Sequence, residues 1–209
     1  MIKVLNLYAG IGGNRKLWTN VDVTAIELNA DVAKIYQDYF PHDHVIVDNA
    51  HDYLEKHFEE FDFIWTSPPC PSHSQFRKNI SCNVSGPNGR QSTPIYPDLM
   101  LYEEIIFLKH YFKGKFIVEN VQAYYEPLIQ PQKVSRHWFW SNFLIPQKYF
   151  KPSLDIHSSK IANFGFDLRN YKINARKATI IRNLIDPALG KYIFDLAFSI
   201  KQNKILEYV

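Results

Sequence analysis

Apolar and polar positions follow two rhythms along most of the chain. Short apolar runs at 2–8, 22–28, 44–48, 61–66 and 115–121 have the length and composition of buried strands. Helix-like segments lie between them, near 13–19, at 30–39, at 50–58 and at about 97–111. In the last of these Leu99, Leu101, Tyr102, Ile105, Ile106 and Leu108 give a helical period. Strand and helix thus alternate as in a βαβ series. The pattern predicts an α/β fold, a doubly wound and mostly parallel sheet with helices on both faces. Residues 136–146 suggest a hairpin, and 186–203 a final helix packed against the start of the sheet. Sheets of this kind bind ligands outside the carboxyl ends of their strands. Gly10, Glu27, Asp48, Cys70 and Glu119 all fall there.

Composition narrows the setting. At 209 residues and 46% hydrophobic content the chain is expected to form one domain over 1–209, without internal repeats. No apolar stretch reaches the roughly 20 residues that span a bilayer, and the chain opens directly on a strand without a signal-peptide pattern. Its two cysteines, Cys70 and Cys82, are few enough to read as reduced thiols. A cytoplasmic protein is therefore expected.

The net charge of +3 is unevenly spread. Residues 130–182 hold 10 of the 24 basic residues and only 2 of the 21 acidic ones. Trp138, Phe139, Trp140, Tyr149, Phe150, Phe164, Phe166 and Tyr171 are interleaved with them. Such a mixture suits a phosphate backbone and unstacked bases, or else a solvated basic face over buried aromatics. Between Cys70 and Asp98 the periodic pattern disappears: Pro71, Pro87, Pro94 and Pro97 occur with Gly86 and Gly89, and Arg77, Lys78 and Arg90 meet no acidic residue. A loop this long inside a compact domain is usually functional, so 71–97 reads as a mobile active-site loop.

Three short segments carry the chemistry. Leu5-Asn6-Leu7-Tyr8-Ala9-Gly10-Ile11-Gly12-Gly13 is a strand breaking into a glycine-rich turn, where a nucleotide-like cofactor can rest against main chain. Thr66-Ser67-Pro68-Pro69-Cys70-Pro71-Ser72-His73-Ser74 delivers a thiol, with prolines stiffening its approach and downstream N–H groups favouring its anion. Glu119-Asn120-Val121 delivers a carboxyl group. Taken by themselves, an acid after the second strand and a glycine turn suit any ribose-bearing cofactor, NAD included, although the G-x-G-G spacing departs from the dinucleotide G-x-G-x-x-G.

In order and placement these segments resemble the cytosine-C5 DNA methyltransferases, with their F-x-G-x-G-G, P-P-C and E-N-V motifs. The resemblance implies a Rossmann-like, S-adenosyl-L-methionine-dependent enzyme acting on DNA. It implies that Cys70 adds to C6 of a flipped cytosine, that Glu119 supplies a proton to N3, and that Arg136 contacts the base. Tyr8, Ala9, Gly10, Gly12, Gly13, Glu27, Leu28, Asp48, Asn49, Ala50, Pro68 and Asn183 are implied to hold the cofactor. Within that set Glu27 binds the ribose hydroxyls and Asp48 the adenine amino group. No metal is implied. Ser135-Arg136-His137 offers a single arginine where the family usually has R-x-R, Pro71 stands where many members have Gln, and His73 where an aromatic is common. The segment at 148–180 is a short basic stretch in place of a full target-recognition domain, which leaves room for relaxed specificity, an RNA substrate or a protein partner that supplies recognition. Two further readings stay open. An exocyclic amino-methyltransferase shares Ser67-Pro68-Pro69 but places Tyr or Trp next, and a non-enzymatic nucleic-acid-binding subunit would keep the fold without needing Cys70 or Glu119.

Overall fold

The computed structural model describes residues 1–75, 95–150, 164–174 and 177–199. Most of the 71–97 loop, including Cys82, Arg77, Lys78 and Arg90, lies outside the described residues, as do 151–163, 175–176 and 200–209.

Seven strands form one sheet: β1 (Ile2–Leu7), β2 (Val21–Ile26), β3 (His44–Ile46), β4 (Phe63–Thr66), β5 (Lys115–Val121), β6 (Gln132–Val134) and β7 (His137–Ser141). Their order is β3-β2-β1-β4-β5-β7-β6. The first five are parallel, and β7 then runs antiparallel to β5 and to β6. The helices are α1 (Ala30–Tyr39), α2 (Ala50–His57), α3 (Met100–Tyr111), α4 (Lys177–Arg182) and α5 (Pro187–Ala197). The doubly wound, mostly parallel α/β sheet is as the alternation predicts.

Both faces are covered. On one, Leu5, Leu7, Ile64, Phe116 and Val118 pack under Leu54 of α2 and Leu101, Ile105 and Leu108 of α3. On the other, Val4, Val23, Phe63, Trp65 and Ile117 pack under Trp18 and under Leu189, Ile193 and Phe194 of α5. Helix starts follow local capping chemistry. The Asn29 side chain accepts from the N–H groups of Asp31 and Val32, Asn49 caps α2 in the same way, and Asp186 caps α5 with Pro187 in its first turn.

Three expectations need correction. Residues 13–19 are not helical: they make successive turns, with Lys16 N–H on the Gly13 carbonyl and Trp18 N–H on that of Arg15. Tertiary bonds hold their polar side chains instead, Asn14 to Asn6 and Arg15 to Asp43, while Arg15 also donates locally to the Trp18 carbonyl. The hairpin is shifted upstream of the expected 136–146 and overlaps it only in its second strand. Its two strands are 132–134 and 137–141, joined at Ser135-Arg136 where Ser135 has φ 55°, and 142–150 carries no strand. The final helix stops at Ala197 rather than 203, with Phe198 as its C-cap. Among the described residues no helix is long and apolar enough to cross a membrane.

Candidate active site

The carboxyl ends of β1, β2, β4 and β5 open onto one cleft of about 870 Å³. Its wall contains Tyr8, Ala9, Gly10, Gly13, Glu27, Leu28, Asn49, Ala50, Pro68, Cys70, Glu119, Arg136 and Asn183, so thirteen of the fifteen residues singled out from sequence meet there. Gly12 and Asp48 are not in that wall.

The chain leaves β1 through two unusual backbone positions, Tyr8 at φ 54° and Gly10 at φ 55°. No atom lies within 4 Å of where a Gly10 side chain would project, so this turn presents bare main chain to open space. Gly12 is different. A Cβ there would sit 2.4 Å from the Phe40 ring and 2.9 Å from that of Tyr36, so this glycine lets the loop pack on α1. At the end of β2, Glu27 accepts from Gly10 N–H at 3.0 Å and from Asn29 N–H at 2.9 Å. One lone pair of each carboxylate oxygen is thus fixed by backbone, and the remaining ones are free for a diol. Asp48 is exposed and accepts from Asn49 N–H, while Asn49 turns to cap α2.

A carboxylate that the motifs do not announce ties these parts together. Glu104 of α3, 1% exposed, accepts from Tyr8 Oη at 2.6 Å and from Thr66 Oγ1 at 2.6 Å, with His51 Nδ1 at 3.3 Å. One buried group therefore bonds the exits of β1 and β4 and the first turn of α2. Burial and the Glu104 charge push the Tyr8 phenol far up, so it stays a donor. The Glu104 hydrogen bond pushes the His51 imidazole up. In sequence Glu104 looks like one more polar residue on an amphipathic helix; the one available signal is its place on the apolar side of the helical period.

At the end of β4 the loop that carries Cys70 turns sharply, with the Cys70 carbonyl accepting from the N–H groups of His73 and Ser74. Asn120 anchors it by donating from Nδ2 to the Pro68 carbonyl at 3.1 Å. Cys70 is partly exposed and free. Its thiol is pushed up by burial and then by the Glu119 charge, while its own backbone N–H pulls it partly back. The downstream N–H groups of His73 and Ser74, expected to favour the anion, are directed at the Cys70 carbonyl instead; the residue's own N–H is outweighed by burial, and the resting side chain is a thiol. Glu119, 6% exposed, is bonded to His137 Nδ1 at 2.6 Å, and Arg136 Nε lies 3.3 Å from His137 Nε2. His137 also lines the cleft, and sequence reasoning passed over it.

The aromatics of the basic stretch divide. Trp138, Phe139, Trp140 and Phe166 are buried, and Phe166 packs on Tyr39 of α1 with Lys16 Nζ 4.0 Å above its ring. Those four serve the core and are not available to bases, whereas Tyr149 is exposed. No group of three or more potential metal ligands occurs among the described residues.

A mostly parallel, Rossmann-like sheet with a reversed hairpin beside its last parallel strand, and a cleft across its carboxyl edge, defines the class of fold. The model of the family C-5 cytosine-specific DNA methylase matches residues 2–127, more than half of the chain, and the chain belongs to that family. Comparison with curated proteins gave no significant match. Similar solved structures include a mutant of DNMT2 from Spodoptera frugiperda, 22% identical at a TM-score of 0.38, over 58% of this chain and 36% of that one. A conserved hypothetical protein from Streptococcus pyogenes is 12% identical at a TM-score of 0.44, over 67% and 84% of the two chains. A putative DNA modification methyltransferase of an E. coli prophage is 19% identical at a TM-score of 0.39, over 60% and 34%. The chain thus spans little more than a third of the length of the insect and prophage proteins.

Proposed function

We propose that this chain methylates C5 of cytosine in DNA, with S-adenosylmethionine as donor and Cys70 as a transient covalent nucleophile. The observation that carries this reading is the convergence of Cys70, Glu119 and the bare Gly10 turn on a single cleft. The residues fit the cofactor. Gly10 leaves room beside the main chain, Glu27 keeps lone pairs for the ribose hydroxyls, and the exposed Leu28 with Asn49 and Ala50 supplies a wall for the adenine. When bound there, the cofactor supplies an electrophilic methyl group.

The protein's part is to make C5 nucleophilic. Addition of the Cys70 thiolate to C6 turns the ring into an enamine, and Glu119 gives N3 the proton that neutralises the developing charge. The same proton helps Cys70, because an uncharged Glu119 no longer opposes the thiolate. Asn120 holds the Pro68-Pro69-Cys70 turn at the height of β5 throughout. Water takes the C5 proton, the C6–S bond breaks to release the Cys70 thiolate, and the N3 proton returns to Glu119, which completes the cycle. A stacked base cannot reach this cleft, so the cytosine must be extruded, which costs a few kcal/mol.

Cys70→Ala is expected to bind S-adenosylmethionine with unchanged affinity and to transfer no methyl group. The wild-type protein should form a denaturant-resistant adduct with DNA carrying 5-fluorocytosine, since fluorine does not leave as a proton. Methylation by the alanine variant at the wild-type rate would end the covalent mechanism.

A further inference from the structure

Glu119 has to be carrying a proton when the base arrives, yet it is buried away from bulk water, and the side chain touching it is His137. In the β5–β7 pair Glu119 faces Phe139 and Val121 faces His137, so Glu119 and His137 are diagonal neighbours on one face. Their contact is Nδ1 to Oε1 at 2.6 Å, with the two residues 8% and 6% exposed. The other ring nitrogen, Nε2, lies 3.3 Å from Arg136 Nε. A guanidinium N–H only donates. Nε2 must therefore accept, which places the ring proton on Nδ1, aimed at Glu119. At rest the imidazole thus donates from Nδ1 to the Glu119 carboxyl group, with Arg136 closing the outer nitrogen.

We propose that His137 is a positioning and proton-supplying residue for Glu119, gated by Arg136; this rests on the cytosine-C5 reading above. Arg136 sits at the exposed tip of the β6–β7 turn and lines the cleft, so it can leave Nε2 for an incoming anionic or carbonyl group of the substrate. Nε2 then takes one proton from water, and the hydroxide this leaves takes the Cys70 thiol proton as the thiolate forms. Nδ1 passes its proton to Glu119 Oε1, and Glu119 gives a proton to N3. The imidazole ends neutral as the opposite tautomer, one solvent proton has reached the base, and no electrons are exchanged. When Cys70 is eliminated, the path runs backwards and Arg136 returns. The charged and titratable groups around the relay are Glu119 from β5, Arg136 from the turn and Cys70 from the nucleophile loop. Glu27 and Arg182 are the other charged side chains in the cleft wall. Arg136 thereby couples base protonation to substrate arrival, and the pair holds no proton for the base while the cleft is empty.

Long-range proton–nitrogen correlation of the His137 ring, in the protein without DNA, should show Nδ1 protonated and Nε2 bare. In Arg136→Met the Nε2–H tautomer should appear. A wild-type ring protonated on Nε2, or a tautomer indifferent to Arg136→Met, overturns the gate. His137→Gln keeps a donor toward Glu119 but relays nothing. Its kcat at pH 8 should fall at least tenfold with KM within threefold of wild type, and the loss of kcat at high pH should begin at least one pH unit lower. A wild-type pH profile in this variant sinks the relay, and if the variant does not fold the tautomer measurement decides. Absence of the Cys70 adduct in wild type is a separate failure, that of the cytosine-C5 reading itself.

Discussion

Glu104→Ala removes one buried side chain and unties three elements at once. Tyr8 Oη and Thr66 Oγ1 both lose a 2.6 Å acceptor, and Thr66 is fully buried. Each hydroxyl left without a partner costs about 1–3 kcal/mol, so with the space vacated beneath them the variant should lose about 3–5 kcal/mol of stability. Glu104→Gln keeps the shape and one acceptor oxygen and should lose about 1–2 kcal/mol. Urea midpoints at constant slope measure both. Dependence on pH sharpens the test. The His51 imidazole is raised in the folded protein by its Glu104 hydrogen bond, so its contribution is fully present below the ordinary histidine value of about 6.5 and fades as pH climbs through the raised one. Wild type should therefore weaken from about pH 6.5 upward relative to Glu104→Gln. An alanine variant within about 1 kcal/mol of wild type, or identical pH slopes in wild type and Glu104→Gln, would refute the role assigned to this carboxylate.

Two glycines of one loop should respond in opposite ways. Gly10→Ala meets no neighbouring atom, so it should cost about 1–2 kcal/mol of backbone strain but reduce S-adenosylmethionine affinity at least tenfold by calorimetry. Gly12→Ala collides with Phe40 and Tyr36 and should cost about 2–4 kcal/mol in thermal unfolding; equal behaviour of the two variants would contradict the division. Ser135→Gly relieves the positive φ of the β6–β7 turn and should stabilise by about 0.5–1 kcal/mol, read by the same melt, where a loss of stability would count against that turn.

How much of this was legible depended on whether the decisive interaction was local. Helix 30–39 and strand 115–121 rest on local signals, the helical segment between two strand runs and the apolar Phe116-Ile117-Val118, and the structure places both at those residues. Residues 13–19 misled because their conformation is fixed from outside, by Asp43 holding Arg15 and Asn6 holding Asn14. The motif residues were readable because strand ends deliver them to the sheet's carboxyl edge whatever the loops do. Asp48 shows the limit of that argument: its neighbour Asn49 took the capping role and the cleft wall, and Asp48 faces solvent. The bonds of Glu104 and His137 were hard to read for the same reason in reverse. Their partners lie 96 and 18 residues away, at Tyr8 and Glu119, and nothing in the intervening chain signals either bond.

The way α5 closes the sheet has a consequence for synthesis. Trp18 donates its indole N–H to the Gly190 carbonyl, 172 residues further along the chain, and Ile193 and Phe194 cover Val4, Val23 and Phe63. At ribosomal speeds of about 5–20 residues per second, roughly ten to thirty seconds separate the emergence of the first partner from that of the last. For that interval one whole side of the nascent sheet is an uncovered apolar surface, which ribosome-associated chaperones are suited to hold.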